Sequence, residues 1–420
     1  MSDSTSKSIP ARIYAFLCSY GLATVLLILL LIITLLGTLE QVEHGLFNSQ
    51  AKYFDSMIIW SIDVGACLRA MSIPAKEFEL PVILPGGYLV MAIFGLNLLL
   101  GGLLRIRKNP RTIGVVIAHF SMLFMLIAGA VSFSFKKEGN LALIEGQTGD
   151  EFQSFHNRVV EIEQVDPPPA DGKRKALVIH DDAFEDLVPD SSGGKARTFT
   201  HPSLPFELVL KNYQPNCEPK RAEGSENQEA VDGYYLQAKP LNPTSEQNID
   251  GIYAVVKEKN GAEQKGILWG FASAMNTAPL PWTVKVDGKT YAIDLGRQRW
   301  SLPFSVRLDK FDRELHPGTE RARKFTSHIT KINGTHEEKK IITMNEPLRD
   351  SGYVLFQASF SMDQSGGSAV KQSVFAVAQN PSDHWPLWSC VAAAIGLLIH
   401  FISMLGRFMK RSSSASATAA

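Results

Sequence analysis

Cysteine is scarce in this 420-residue chain, with four in all and no two spaced as C-x-x-C. So few thiols cannot frame a disulfide scaffold, and a thiol–disulfide oxidoreductase, which needs two thiols poised close together, is disfavoured. No C-x-x-C-H occurs, so the chain is not a c-type cytochrome. Net charge is missing too, with 42 Lys and Arg against 42 Asp and Glu. Without a basic excess to neutralise phosphates, nucleic acid is not an expected partner. The ten histidines show no HExxH or H-x-x-x-H spacing for zinc. Asp181-Asp182 and Glu185-Asp186 lack the glycine and spacing of an EF-hand loop and read as a solvated turn. Disorder is excluded by 45% hydrophobic and only 20% charged residues. Mean hydropathy is zero, which fits either one soluble phase or the sum of two unlike phases.

The distribution along the chain decides for two phases. Ile13 to Leu39 carries no charge and is centred on VLLILLLIITLL. A bilayer core needs about 20 apolar residues in a helix, so residues 13–39 are an expected span. The run is too long for a signal h-region and no A-x-A site follows, so it reads as a retained anchor. Further uncharged runs predict spans over 81–104, 112–135 and 385–406. Trp385 and Trp388 at the start of the last suit an interfacial belt. Orientation follows from basic residues: Arg105, Arg107, Lys108 and Arg111 in the turn 105–111, Lys7 and Arg12 in 1–12, and Arg407, Lys410 and Arg411 in the tail 407–420. All three would face the cytoplasm. The loop 40–80 and the long segment 136–384 would then face outside.

That long segment is punctuated by strand and turn signals. Val284 to Ile293 alternates around Asp287-Gly288, a hairpin signature, and Asn260-Gly261 and Asn333-Gly334 sit similarly. Asp166 to Pro169, Ser191 to Gly194 and the polar stretch Asn216 to Glu229 read as loops. A β-rich, sandwich-like domain is expected. Its cysteine, Cys217, falls in one of these loops, and Cys67 in the first outer loop. A Cys67–Cys217 bridge and two unpaired thiols remain equally open.

Several strings, in order along the chain, resemble the ResB-like family of cytochrome c biogenesis proteins, the membrane partners of the system II pathway. They are Gly37-Thr38-Leu39-Glu40-Gln41, then Gln50 to Ser56, Leu84-Pro85-Gly86-Gly87 leading to Asn97, and Ala118-His119-Phe120-Ser121. Pro303 to Phe311, Lys324 to Ser327, Asn345 to Leu348 and Gly352 to Gln357 follow in the long segment. Asp166 to Asp250 carries no such string. The resemblance implies a bacterial inner-membrane protein with a periplasmic β-rich domain. It would act as one subunit of a system II cytochrome c synthase with a CcsA/ResC-type membrane partner, moving haem across the membrane and delivering it to apocytochrome c. The six tryptophans form no W-x-W cluster, so the Trp-rich haem-handling loop would belong to the partner.

No catalytic side chain is expected, because the nucleophiles of thioether formation are the cytochrome's own thiols. The expected cofactor is haem b, held transiently and shared with the partner. Histidines within spans are costly and tend to face a bundle interior, and neutral imidazole is an axial ligand of haem iron. His119 and His400 are therefore the candidate cofactor-binding residues, His119 first because it lies in a matching string. His119 is seven residues from Thr112 and His400 six from Gly406. At 1.5 Å per residue, both are expected at one depth, roughly 10 Å inside the cytoplasmic boundary. A membrane scaffold that binds no haem and docks partners through its outer domain is the rival reading. A secondary transporter is disfavoured by the lack of inverted repeats and of acids within the spans.

Overall fold

The computed structural model describes residues 9–167, 176–190, 193–222, 229–271, 280–319, 321–363 and 370–418. Contacts divide the chain into two units, Met1–Lys136 with Asn380–Ala420, and Lys137–Gln379. Lys7 and, from the expected loops, Pro168, Pro169, Ser191, Ser192 and residues 223–228 lie outside the described residues.

The helical unit does not open with one helix over 13–39. Its apolar run breaks between α1 (Ile9–Leu17) and α2 (Tyr20–His44). Ser19 causes the break locally: its hydroxyl accepts the Leu22 N–H at 3.1 Å, capping α2. Asn97 holds it from a distance, its amide donating to the carbonyls of Leu17 and Ser19. Apolar content fixes that a helix forms; a capping serine fixes where it starts. The loop 40–80 is itself ordered, as α3 (Leu46–Tyr53), β1 (Ile58–Asp63), α4 (Val64–Ala70) and β2 (Glu79–Pro85), with β1 and β2 antiparallel. The expected span 81–104 begins within β2, because Pro81 and Pro85 keep the backbone extended. Its helix is α5 (Gly87–Asn97), continued as a π-helical segment, Leu98–Leu104.

α6 (Ile113–Phe135) follows the basic turn, and α7 (Trp385–Thr418) runs past Gly406. Among the described residues, four helices are long and apolar enough to cross a membrane: Tyr20–His44, Gly87–Leu104, Ile113–Phe135 and Trp385–Met409. α6 and α7 approach closely at Gly114 and Gly396. A Cβ on Gly396 would stand 2.7 Å from the Gly114 carbonyl oxygen and 2.8 Å from the Ala118 nitrogen. Further along, Ser389 donates to the Ser121 carbonyl, Ser382 to that of Ala128 at 2.9 Å, and Asn380 to the Ser132 hydroxyl at 3.0 Å. Small residues that let backbones meet, with hydroxyls bridging them, are how helices adhere where apolar burial gives no advantage.

The second unit is built on β-strands. Its strands are β3 (Lys137–Ile144), β4 (Thr148–Asp166), β5 (Ala176–His180), β6 (Ala196–Phe199), β7 (Phe206–Gln214), β8 (Cys217–Arg221), β9 (Tyr234–Ala238), β10 (Gly251–Glu258), β11 (Glu263–Trp269), β12 (Trp282–Val286), β13 (Lys289–Leu315), β14 (Ala322–Asn333), β15 (His336–Thr343), β16 (Leu348–Asp350), β17 (Tyr353–Asp363) and β18 (Val370–Gln379). All pairings are antiparallel. A four-stranded sheet, β11-β10-β7-β6, shares one core with β4, β12 and β13 of a ten-stranded sheet. Leu208, Leu210, Ile252 and Val256 from one sheet meet Val160, Val284, Ile293 and Leu295 from the other. This is the expected sandwich. A second core forms where the large sheet packs on itself, around Phe152, Val306, Leu308, Ile329, Leu355 and Phe375. β4 and β13 run through both cores, and their register shifts between Arg297 and Arg299 and between Ser301 and Val306. Such irregularities bend long strands.

The hairpins follow their turn residues. Asp287 and Gly288 take φ of 50° and 73° between paired Val286 and Lys289, the type I′ requirement. At Asn333-Gly334 the turn is Gly334-Thr335, since Asn333 still pairs with His336. One expectation here is corrected. Asn216 to Glu229 is not all loop, because β8 pairs with β9. Cys217 is buried there against Leu236 and Tyr253, and burial, reinforced by Asp250, pushes its thiol up to about 12. All four cysteines are free.

Candidate functional site

His119 sits on α6 facing the π-helical segment. Its Nδ1 lies 3.0 Å from the Gly102 carbonyl oxygen. A carbonyl only accepts, so Nδ1 carries the proton and, in the neutral ring, Nε2 keeps its lone pair. Gly102 lies in the last turn of its segment, where carbonyls run out of helical donors. The histidine supplies one. Gly102 also makes the room: a Cβ there would stand 2.9 Å from His119 Nδ1 and 3.1 Å from a Leu98 methyl. A half-buried imidazole, held at one nitrogen by a backbone carbonyl and basic at the other, is the usual arrangement of a metal-ligating histidine.

His400 is arranged differently. Its Nδ1 is buried with no hydrogen-bond partner among the described residues, so nothing there fixes its tautomer. Its backbone packs on Gly114, to which a Cβ would bring the His400 nitrogen within 2.6 Å. The expectation of one depth for both histidines is therefore corrected. His400 is level with Gly114, five residues from His119 along α6, which at 1.5 Å per residue is about 7.5 Å. Counting from each run's end misjudged this because α7 continues well past Gly406.

Sequence reasoning missed a second cluster, although it singled out the strings that build it. Glu40, 1% exposed near the end of α2, accepts Lys52 Nζ at 2.8 Å, the Tyr53 hydroxyl at 2.5 Å and the Asp63 N–H at 2.7 Å. Asp63 caps α4 by accepting the Ala66 N–H at 2.8 Å and accepts a hydrogen bond from His44 Nε2 at 3.0 Å. Burial acts to raise the Asp63 carboxyl, but these two donors outweigh it and hold it below its usual range. Arg69 forks onto Glu43 with two bonds of 2.6 Å. Gly37 to Gln41 and Gln50 to Ser56 thus meet through Glu40, Lys52 and Tyr53. His44 belongs to this ion-pair junction, half-exposed beside Asp63.

In the β unit, Arg158 and Asp250 form a buried pair at 3.3 Å, 8% and 1% exposed. Arg158 also donates to the Asn248 carbonyl at 2.8 Å, and Tyr213 lies 3.5 Å from the carboxylate. Burial lowers the nearby Arg297 to about 10, Arg158 adding to it, while its guanidinium bonds the carbonyls of Ser154, Phe155 and Glu246. Apart from Arg158 Nη1, which is buried with no hydrogen-bond partner among the described residues, the guanidinium donors here reach backbone or carboxylate acceptors, an arrangement that fastens loops. Among the described residues, no group of three or more His, Cys, Asp or Glu could hold a metal ion. Asp181 and Asp186 are not merely solvated: Asp181 accepts the Arg158 N–H, and Asp186 pairs with Arg197.

Residues 283–373 match the model of the ResB-like family. That stretch is similar to the ResB-like family. The matched segment runs from β12 into β18 and includes β13 to β17 whole. Within the ResB-like segment, two of the strings meet in its core. Ser327 Oγ donates to Gln357 Oε1 at 2.5 Å, and Ser373 donates to the same oxygen at 3.0 Å. The chain is also 27% identical, over 128 residues, to Protein NrfI of Wolinella succinogenes. That stretch is 30% of this chain and 14% of the relative, so the chain matches only a small part of the curated relative's length.

Proposed function

We propose that this chain is the ResB-type subunit of a system II cytochrome c synthase in a bacterial inner membrane. It works with a CcsA/ResC-type partner to move haem b across the membrane and deliver it to apocytochrome c. The observation that carries this reading is the match of residues 283–373 to the ResB-like family. The similarity to Protein NrfI supports it, as do four helices able to cross a membrane, with a β-rich unit between the third and fourth in sequence. The basic turn 105–111 favours placing that unit in the periplasm.

The residues fit the cofactor at one position. His119 would offer Nε2 to the iron, with Nδ1 fixed on Gly102. His400 would be a second contact only after its buried Nδ1 finds a partner. Haem, when bound, supplies the vinyl groups to which the cytochrome's thiols add. This chain's part would be to hold the group and keep water away while the partner and apoprotein engage. The test is the full chain co-expressed with its partner. His119→Ala should lose haem from the purified complex and cytochrome c from the cell, with recovery by added imidazole. Full haem content and full cytochrome yield in that variant would overturn the ligand role. Undiminished cytochrome yield after deletion of the whole chain would overturn the synthase reading itself.

A further inference from the structure

A groove of about 440 Å³ opens between the last turns of α2 and α3. Thr38, Gln41, Ser49, Gln50, Leu46 and Phe54 line it, and no charged side chain is among its lining residues. Two of its polar groups are already committed. Thr38 donates to the Thr34 carbonyl at 2.7 Å, and Gln50 donates to Asp55 at 3.2 Å. Ser49 is the exception. It is 3% exposed, and its hydroxyl has no hydrogen-bond partner among the described residues. A buried hydroxyl left unpaired costs about 1–3 kcal/mol, and a helical serine ordinarily avoids this by bonding back to the carbonyl one turn earlier. Ser49 instead stands at the wall of an open groove.

The surroundings specify what would satisfy it. A carboxylate or phosphate would lie in the groove unpaired, and burying an unpaired charge is far costlier than burying a neutral dipole. The unmet capacity is an O–H donor, to which Gln41 adds an amide, so the fitting group is a neutral acceptor. Val42, Leu46 and Phe47, beside the groove in the chain, are 63%, 67% and 46% exposed. Such a rim suits entry from lipid rather than from water. α2 is one of the four helices able to cross a membrane, and the groove lies at its C-terminal end.

We infer that this groove binds the neutral carbonyl of a bilayer-dissolved amphiphile, either a phospholipid acyl ester or a quinone ring, with Ser49 Oγ as the donor. The inference needs only that α2 spans a membrane and stands apart from the haem reading, since no histidine lines the groove.

The test uses the full chain in an ester-free detergent, with bound adducts read by native mass spectrometry. The probes are decylubiquinone, a short-chain diacyl phosphatidylcholine and its ether-linked analogue. The chain should retain the quinone or the ester lipid in preference to the ether. Ser49→Ala should weaken that retention about tenfold, the effect of one buried hydrogen bond, and Ser49→Thr should keep it. Quinone retention alone assigns the groove to a quinone, and ester retention alone to phospholipid. Without any probe, Ser49→Ala should melt at or above the temperature of the parent chain, since it removes an unpaired group. No adduct with any probe, equal adducts in the parent and Ser49→Ala, equal retention of all three probes, retention of ester and ether lipid alike without the quinone, or a lower melting temperature of Ser49→Ala alone would each overturn the inference.

Discussion

Lys52 reaches back twelve residues to place its ammonium 2.8 Å from the buried carboxylate of Glu40. The contact ties α3 to the end of α2, and Tyr53 and the Asp63 N–H complete the carboxylate's shell. Glu40→Ala leaves an ammonium, a phenol and a backbone N–H without their acceptor. Breaking a buried pair from one side costs about 3–5 kcal/mol. The expected outcome is a lower unfolding temperature in detergent and faster proteolysis between residues 45 and 80. Glu40→Gln with Lys52→Met should restore part of the loss, as coupled partners do.

Gly102 is predicted to control His119. A side chain at 102 must displace the imidazole, because its first carbon alone would stand 2.9 Å from Nδ1. Gly102→Val should therefore lower haem content in the co-expressed complex as far as His119→Ala does. Gly129 on α6 has nothing within 4 Å of an added Cβ, so Gly129→Ala should leave the haem absorbance unchanged. Equal haem in Gly102→Val and the parent chain would refute the packing argument.

The pair Arg158–Asp250 should behave as a unit. Asp250→Asn strands a buried guanidinium, at about 3–5 kcal/mol, whereas Arg158→Met with Asp250→Leu removes both charges and should cost markedly less. Denaturant unfolding of the three variants against the parent chain measures this non-additivity.

Acid stability should register the pair Lys331–Asp350. The Asp350 carboxyl is held below its usual range by the Lys331 ammonium and then by the Ser351 hydroxyl. Its folded value lies below its unfolded one, so its contribution is present above about pH 4 and fades as pH falls through the folded value. Lys331 is raised, first by its bond to Asp350. Its contribution is present below about pH 10 and is lost as pH rises through the folded value. The melting-temperature gap between the parent chain and Asp350→Asn should be full at pH 7 and close on acidification below pH 4. A gap independent of pH would contradict this.

Local composition determined much of this protein by itself. Uncharged runs have to become helices, because only an internally bonded backbone is stable in an apolar phase. Asp287-Gly288 had to be a turn, because only such residues accept its dihedral angles. The ordered strings carried the ResB-like likeness without a structure, and His119 stood out as a costly polar group in an apolar run. What those strings do was not legible. Glu40 ends an apolar run like any solvated carboxylate until α3 folds back to deliver Lys52 and Tyr53. Ser327 and Gln357 are two ordinary strand residues until β14 and β17 bring them together. The relative depth of His119 and His400 depended on where Gly114 meets Gly396, a register set by the crossing of two helices. Pattern along a chain records what each residue prefers of its solvent. Which residues meet is decided by distant backbone approaches, and these leave no local trace.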